Sequence, residues 1–257
     1  MADPIRLLIL GGTTEAADLA RHVAADPRLA VTTSLAGRTR NPASIPGGVR
    51  SGGFGGVAGL AHYIKDESID LVVDATHPYA ATMTANAAAA ATETGVPCLH
   101  LLRPAWTAQA GDQWITVADG TAAAEALAGL GTRVFLTLGH RDLAAFGDMP
   151  EHWFLIRLID PPKTPPPLAN YELRLQRGPF SIADETALLR DHCIDVVVSK
   201  NSGGAATYAK IEAARDLSLP VVMIARPDPP TGTVVESVTD ALAWIEAQMD
   251  SRQALTK

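Results

Sequence analysis

The chain carries one α/β unit twice. Ile69-Asp70-Leu71-Val72-Val73-Asp74 resembles Ile194-Asp195-Val196-Val197-Val198-Ser199, and each run leads through a polar loop into a helix of small residues. Next, Val96-Pro97-Cys98-Leu99 resembles Leu219-Pro220-Val221-Val222, and the two segments close on Arg103-Pro104 and Arg226-Pro227. Upstream, Arg6-Leu7-Leu8-Ile9-Leu10-Gly11 resembles Arg133-Val134-Phe135-Leu136-Thr137-Leu138-Gly139. Downstream, residues 121–130 and 237–244 each read as a closing amphipathic helix. Four matched elements in one order predict two similar, Rossmann-like, doubly wound parallel-sheet domains with a cleft between them. The repeat predicts their extents as residues 1–131 and 132–257.

The first unit opens on its most informative segment. Leu7 to Leu10 is apolar without alternation, as a parallel strand covered on both faces requires. Gly11 and Gly12 follow, where the backbone must turn sharply and approach a ligand. Thr13 and Thr14 can cap the helix that Ala16, Ala17, Leu19 and Ala20 continue. A helix start at a strand end presents N–H groups and the positive end of a dipole, which suits a phosphate. The run Gly-Gly-Thr-Thr-Glu-Ala lacks full G-x-G-x-x-G spacing, so a plain strand-to-helix turn is the competing reading.

Composition narrows the function classes. The 257 residues are 47% hydrophobic, enough to bury two cores of ordinary size. A formal net charge of −7 argues against nucleic acid or an anionic membrane surface as the main partner. Two cysteines, Cys98 and Cys193, each beside a strand-like run, read as buried small hydrophobes rather than a disulfide or metal site. The N-terminus enters a strand without a signal peptide, and no apolar run reaches the ~18 residues of a membrane span. A cytoplasmic protein is the expectation.

Ligands of open α/β sheets sit beyond the carboxyl ends of the strands. The candidate loops are therefore residues 11–15, 34–40, 74–79, 138–141 and 199–204. The second strand ends at Ser34-Leu35-Ala36-Gly37-Arg38-Thr39, without the acid that binds an NAD ribose. Ser34, Arg38 and Thr39 suit a 2′-phosphate instead; Arg38 and Arg40 as solvated charges is the plainer alternative. Glycine then fills six of the ten positions 47–56. This run reads either as a surface loop or, through Phe54, as backbone packed against a flat ligand or a second domain. Asp74-Ala75-Thr76-His77-Pro78-Tyr79 gathers a carboxylate, an imidazole and a phenol at one strand end. Ser199-Lys200-Asn201-Ser202-Gly203-Gly204 offers a lysine, hydroxyls and close backbone. The proline-rich residues 160–167 read as a stiff surface linker. The chain has no Y-x-x-x-K pair, G-x-S-x-G elbow, P-loop or H-E-x-x-H motif.

Taken together, Gly11-Gly12-Thr13-Thr14-Glu15, Leu35-Ala36-Gly37-Arg38-Thr39, Gly52-Gly53-Phe54-Gly55-Gly56, Thr76-His77-Pro78-Tyr79-Ala80 and Ser199-Lys200-Asn201-Ser202-Gly203-Gly204 resemble, in this order, the precorrin-6A reductase family of cobalamin biosynthesis. The resemblance implies NADPH-dependent reduction of one carbon–carbon double bond in a ring-contracted tetrapyrrole, precorrin-6A to precorrin-6B. It places Gly11, Gly12, Thr13, Thr14, Ser34, Gly37, Arg38, Thr39 and Phe54 on the cofactor side. It places Thr76, His77, Tyr79, Lys200, Asn201 and Ser202 where nicotinamide and macrocycle meet. His77, Tyr79 and Lys200 are the candidate catalytic proton donors. Arg141, Lys200 and Lys163 could pair with acetate and propionate groups of the tetrapyrrole. Another NADP-dependent oxidoreductase, or a non-catalytic binder of nucleotide or tetrapyrrole, is the alternative.

Overall fold

Continuous apolar runs make the central strands, because only a strand covered on both faces can bury every side chain. In β1 (Ile5–Leu10), Leu7 to Leu10 are at most 1% exposed. The computed structural model describes residues 3–36 and 45–255. After β1 come α1 (Thr14–Val23), β2 (Leu29–Leu35), β3 (Gly48–Ser51), α2 (Gly56–Asp66), β4 (Leu71–Asp74), α3 (Ala81–Thr94) and β5 (Cys98–Leu101). The chain continues with β6 (Gln113–Val117), α4 (Gly120–Ala126), β7 (Arg133–Thr137), a 3₁₀ segment His140–Phe146, β8 (Trp153–Leu158) and β9 (Tyr171–Leu175). It ends with α5 (Ile182–Asp191), β10 (Val196–Lys200), α6 (Ala209–Asp216), β11 (Pro220–Ile224), β12 (Thr233–Val235) and α7 (Val238–Leu255).

These strands form two six-stranded sheets, ordered β12-β5-β4-β1-β2-β3 and β6-β11-β10-β7-β8-β9. Every described pairing is parallel. β1 and β7 hold equivalent places, as do β4 with β10 and β5 with β11, as the internal repeat predicts. In the first sheet, side chains alternate between two cores. Leu7, Ile9 and Val73 face Leu19 and Val23 of α1 and Ala241, Ile245 and Met249 of α7. Leu8, Leu10 and Val72 face Leu60 and Ile64 of α2 and Ala87 and Ala90 of α3. In the second sheet, Phe135, Leu155 and Val197 pack with Leu189 of α5 and Ile211 of α6.

The extents differ from those the repeat suggests. One compact unit comprises residues 1–104 with 227–257, and the other residues 105–226. The closing strands are exchanged. β6, which lies within the first repeat, pairs with β11, while β12, which lies within the second, pairs with β5. The boundary at residue 131 is therefore corrected to two crossings, near residues 104 and 226. Two smaller expectations also change. Part of the glycine-rich run is an edge strand, β3, because its backbone extends β2 in parallel register from Thr32 opposite Gly48 to Leu35 opposite Ser51. Cys193 is exposed, in a left-handed turn at φ 48°, rather than buried. Cys98 is half-buried, and burial, with Asp74 nearby, pushes its thiol up to about 12.

Candidate active site

Strand order reverses at β1 in the first sheet. The chain winds outward through β2 and β3, then returns to place β4 on the other side of β1. Such a switch point opens a crevice at the carboxyl ends of the two flanking strands. The segments leaving β1 and β4 meet there. Ala75 N–H donates to Leu10 O at 2.9 Å, and Thr13 Oγ1 donates to Ala75 O at 2.8 Å. Thr13 also caps α1, accepting from Ala16 N–H at 3.1 Å. Gly12 has φ 117°, a conformation L side chains rarely adopt. Gly11 N–H donates to Ser34 O at 2.9 Å, so the ends of β1 and β2 are joined too. Thr14 is exposed as the first residue of α1. Glu15, an acid in that first turn, pairs with Arg103 at 2.7 Å.

The loop after β4 hangs on one carboxylate. Asp74 Oδ1 accepts from Thr76 N–H at 3.1 Å and from Thr76 Oγ1 at 2.7 Å. Its Oδ2 lies 3.0 Å from His100 Nδ1. Burial alone would push the Asp74 carboxyl up. Hydrogen bonds from His100, Thr76 and Thr84 outweigh burial and hold it below the ordinary value of 3.8. Beyond Thr76 the loop exposes His77 and half-exposes Tyr79, with ring centroids 5.8 Å apart. Tyr79 N–H donates to His77 Nδ1 at 3.3 Å.

Phe54 does not stand open to a ligand on both faces. The Arg50 guanidinium carbon lies 3.8 Å from its ring centroid, and Tyr63 meets it edge-on at 5.2 Å. Arg50, which sequence reasoning passed over, donates from Nη1 to Ser34 Oγ at 2.7 Å. Its register opposite Ser34 depends on β3, the strand hidden among the glycines. Gly37, Arg38 and Thr39, expected on the cofactor side, lie outside the described residues.

The second unit repeats the topology, with its switch point between β7 and β10. Lys200, at the end of β10, bonds Asp142 of the 3₁₀ segment at 2.7 Å. Arg141 and Lys163 are exposed, and Ser202 N–H donates to Lys200 O at 2.8 Å. Asn201 is bonded twice to the Trp106 backbone. Its Oδ1 accepts from Trp106 N–H at 2.8 Å and its Nδ2 donates to Trp106 O at 2.9 Å. Trp106 Nε1 then donates to Gly204 O at 2.9 Å. The Asn201 amide therefore pins the 201–204 segment to Trp106, which gave no sequence signal. Lys210 is buried behind it, donating to Thr207 O at 2.9 Å with Nζ 5.0 Å from the Trp106 ring centroid. Burial pushes its amine down to about 7.

Comparison with known proteins agrees along almost the whole length. The family description "Precorrin-6x reductase CbiJ/CobK" matches residues 6–246. The precorrin-6A reductase of Rhodococcus erythropolis is 52% identical over 241 residues, 93% of this chain and 97% of the relative. That of Rhodobacter capsulatus is 47% identical over 240 residues, 93% and 95%. The cobalt-precorrin-6A reductase of Salmonella typhimurium is 30% identical over 241 residues, 87% and 88%. A solved "CobK precorrin-6A reductase" superposes with a TM-score of 0.89 at 46% identity, over 95% of this chain and 97% of that one. The chain belongs to the precorrin-6A reductase family.

Proposed function

We propose that this chain reduces one carbon–carbon double bond of precorrin-6A to give precorrin-6B in cobalamin biosynthesis, with NADPH as the hydride donor. Similarity to precorrin-6A reductases over nearly the full chain carries the reading. The greater identity to relatives named for precorrin-6A than to the Salmonella relative named for cobalt-precorrin-6A favours the metal-free substrate.

The first sheet suits a dinucleotide. The turn at Gly11 and Gly12 brings backbone to the switch point without side chains. Thr14 and Glu15 open α1 with N–H groups of the kind a pyrophosphate takes, and Arg103 balances the Glu15 charge. Thr13, bonded to Ala75 O, fixes this turn against the loop carrying His77 and Tyr79. Ser34, Gly37, Arg38 and Thr39 belong to the ribose end of the nucleotide. Phe54 serves it indirectly, as a platform for Arg50.

When bound, the nicotinamide supplies a hydride to one carbon of the double bond. The neighbouring carbon takes a proton. His77 in its imidazolium form, or the Tyr79 hydroxyl beside it, supplies that proton. Thr76 holds their loop to Asp74. On the second unit, Arg141, Lys200 and Ser202 offer cationic and hydroxyl groups to the acidic substituents of the macrocycle. Asp142 orients the Lys200 ammonium.

The test is a spectral assay of the purified chain with NADPH and precorrin-6A, run beside cobalt-precorrin-6A. One NADPH is consumed per macrocycle reduced, faster with the metal-free substrate. His77→Ala lowers turnover by about 10²- to 10⁴-fold while NADPH affinity holds. NADPH binding without consumption on either macrocycle overturns the reductase reading.

A further inference from the structure

The strongest unexplained cation at the ligand edge of the first sheet is Arg50. It ends β3 directly opposite Ser34, the penultimate residue of β2. Its Nη1 donates to Ser34 Oγ at 2.7 Å and to Gly52 O at 3.2 Å, and its Nη2 donates to Gly53 O at 3.3 Å. The planar group lies 3.8 Å from the Phe54 ring centroid and 5.1 Å from that of Tyr63. Backbone approaches closely below the stack, since the Phe54 carbonyl oxygen fills the place a Cβ on Gly59 would need, 1.7 Å away. The guanidinium is thus held before any ligand arrives.

Among the described residues, no acid pairs with its charge. Arg28, Arg103, Arg157 and Arg215 each pair with a carboxylate. Among the described residues, the partners of Arg50 are neutral oxygens and aromatic faces. These contacts use three of the five N–H bonds of a guanidinium. Nε–H and one Nη2–H remain, and they form the side edge of the fork that meets an oxyanion with two parallel bonds. In a doubly wound sheet, the end of the second strand is where the adenosine ribose lies. A phosphate there brings a charge of roughly −1.5 to −2.

We propose that Arg50, stacked on Phe54 and anchored to Ser34, is the residue that selects a 2′-phosphorylated nucleotide. The inference rests on the NADPH reading above and assigns its specificity to a side chain that the β2–β3 register delivers. Ser34 then contributes by orienting Arg50 as well as by its own hydroxyl.

The test compares binding of 2′,5′-ADP with 5′-AMP, and of NADPH with NADH, by calorimetry on the whole chain without substrate. The variants are Arg50→Gln, Arg50→Lys and Arg38→Ala. The unmodified chain prefers 2′,5′-ADP, and Arg50→Gln weakens 2′,5′-ADP and NADPH by about 10- to 100-fold while leaving 5′-AMP and NADH unchanged. Arg50→Lys, with charge but no fork, recovers part of the loss. Circular dichroism and thermal melting check each fold; if Arg50→Gln does not fold, Arg50→Lys decides by the same selective loss. Equal losses for both ligands of a pair, or no loss, overturn the role of Arg50. Loss of selectivity in Arg38→Ala with none in Arg50→Gln also overturns it. Absence of any 2′-phosphate preference in the unmodified chain overturns the NADPH reading itself.

Discussion

His100 Nδ1 and Asp74 Oδ2 lie 3.0 Å apart at the carboxyl ends of two neighbouring strands, with both side chains 3% exposed. The same carboxylate holds Thr76 through its other oxygen, so one buried group joins β4, β5 and the loop bearing His77. Removing one member of such a pair leaves the other buried without its partner. Asp74→Ala is expected to cost about 1–3 kcal/mol for each buried donor left without a partner, measured by urea denaturation.

The pH dependence of Asp74 has a definite sign. A carboxyl held below its unfolded value adds stability above that value and loses it as pH falls through the folded one. The loss therefore begins near the ordinary 3.8 and deepens below it. Asp74→Asn removes this part of the acid limb. Denaturation midpoints of the two proteins should converge as pH falls toward about 2.

Lys210 behaves in the opposite range. Its amine is pushed from 10.5 down to about 7, first by burial and then by Arg157, against the pull of Glu185. Between those values the unfolded chain binds a proton the folded chain does not, so stability rises with pH. The slope approaches roughly 1.4 kcal/mol per pH unit. Lys210→Met flattens this rise and is more stable than the unmodified chain at pH 7. Melting across pH 7 to 10 measures both effects.

Gly59 sits in α2, where alanine would ordinarily add about 1 kcal/mol. Here a Cβ would meet the Phe54 carbonyl oxygen at 1.7 Å. Gly59→Ala is instead expected to destabilise by about 1–3 kcal/mol. The displaced Phe54 also releases the Arg50 stack, so a lower melting temperature accompanies changed Tyr63 fluorescence.

Asn201→Ala breaks both bonds to the Trp106 backbone. Two part-buried main-chain groups lose partners, at about 1–3 kcal/mol each if water does not replace them. Red-shifted emission of Trp106 should accompany the loss, read against a Trp106→Phe control.

Sequence legibility followed range. The buried strands β1, β4, β7 and β10 announce themselves as apolar runs, because covering both faces is a local demand on composition. Thr13 is readable as a cap for the same reason. The partners of β6 and β12 are not readable, since two closing strands in a repeat have similar patterns and either sheet accepts either strand. Arg50 was passed over because its relation to Ser34 is set by β2–β3 register across intervening residues. His100 was missed because an isolated histidine in a strand gives no spacing signal, and the bonds from Asn201 to Trp106 because side-chain chemistry alone does not reveal a pin.

The exchange of closing strands bears on the order in which the protein is made. Residues 105–226 form an unbroken stretch whose sheet is complete before the last segment leaves the ribosome. The other unit starts before it yet waits for residues that follow it, since β12 covers the edge of β5 and α7 supplies Ala241, Ile245 and Met249 to the core under α1. Until then β5 is an open strand edge, the kind that pairs with other chains. Synthesis thus finishes the later unit first, and the nucleotide-type turn at Gly11 and Gly12 gains its fully covered sheet only with the final helix.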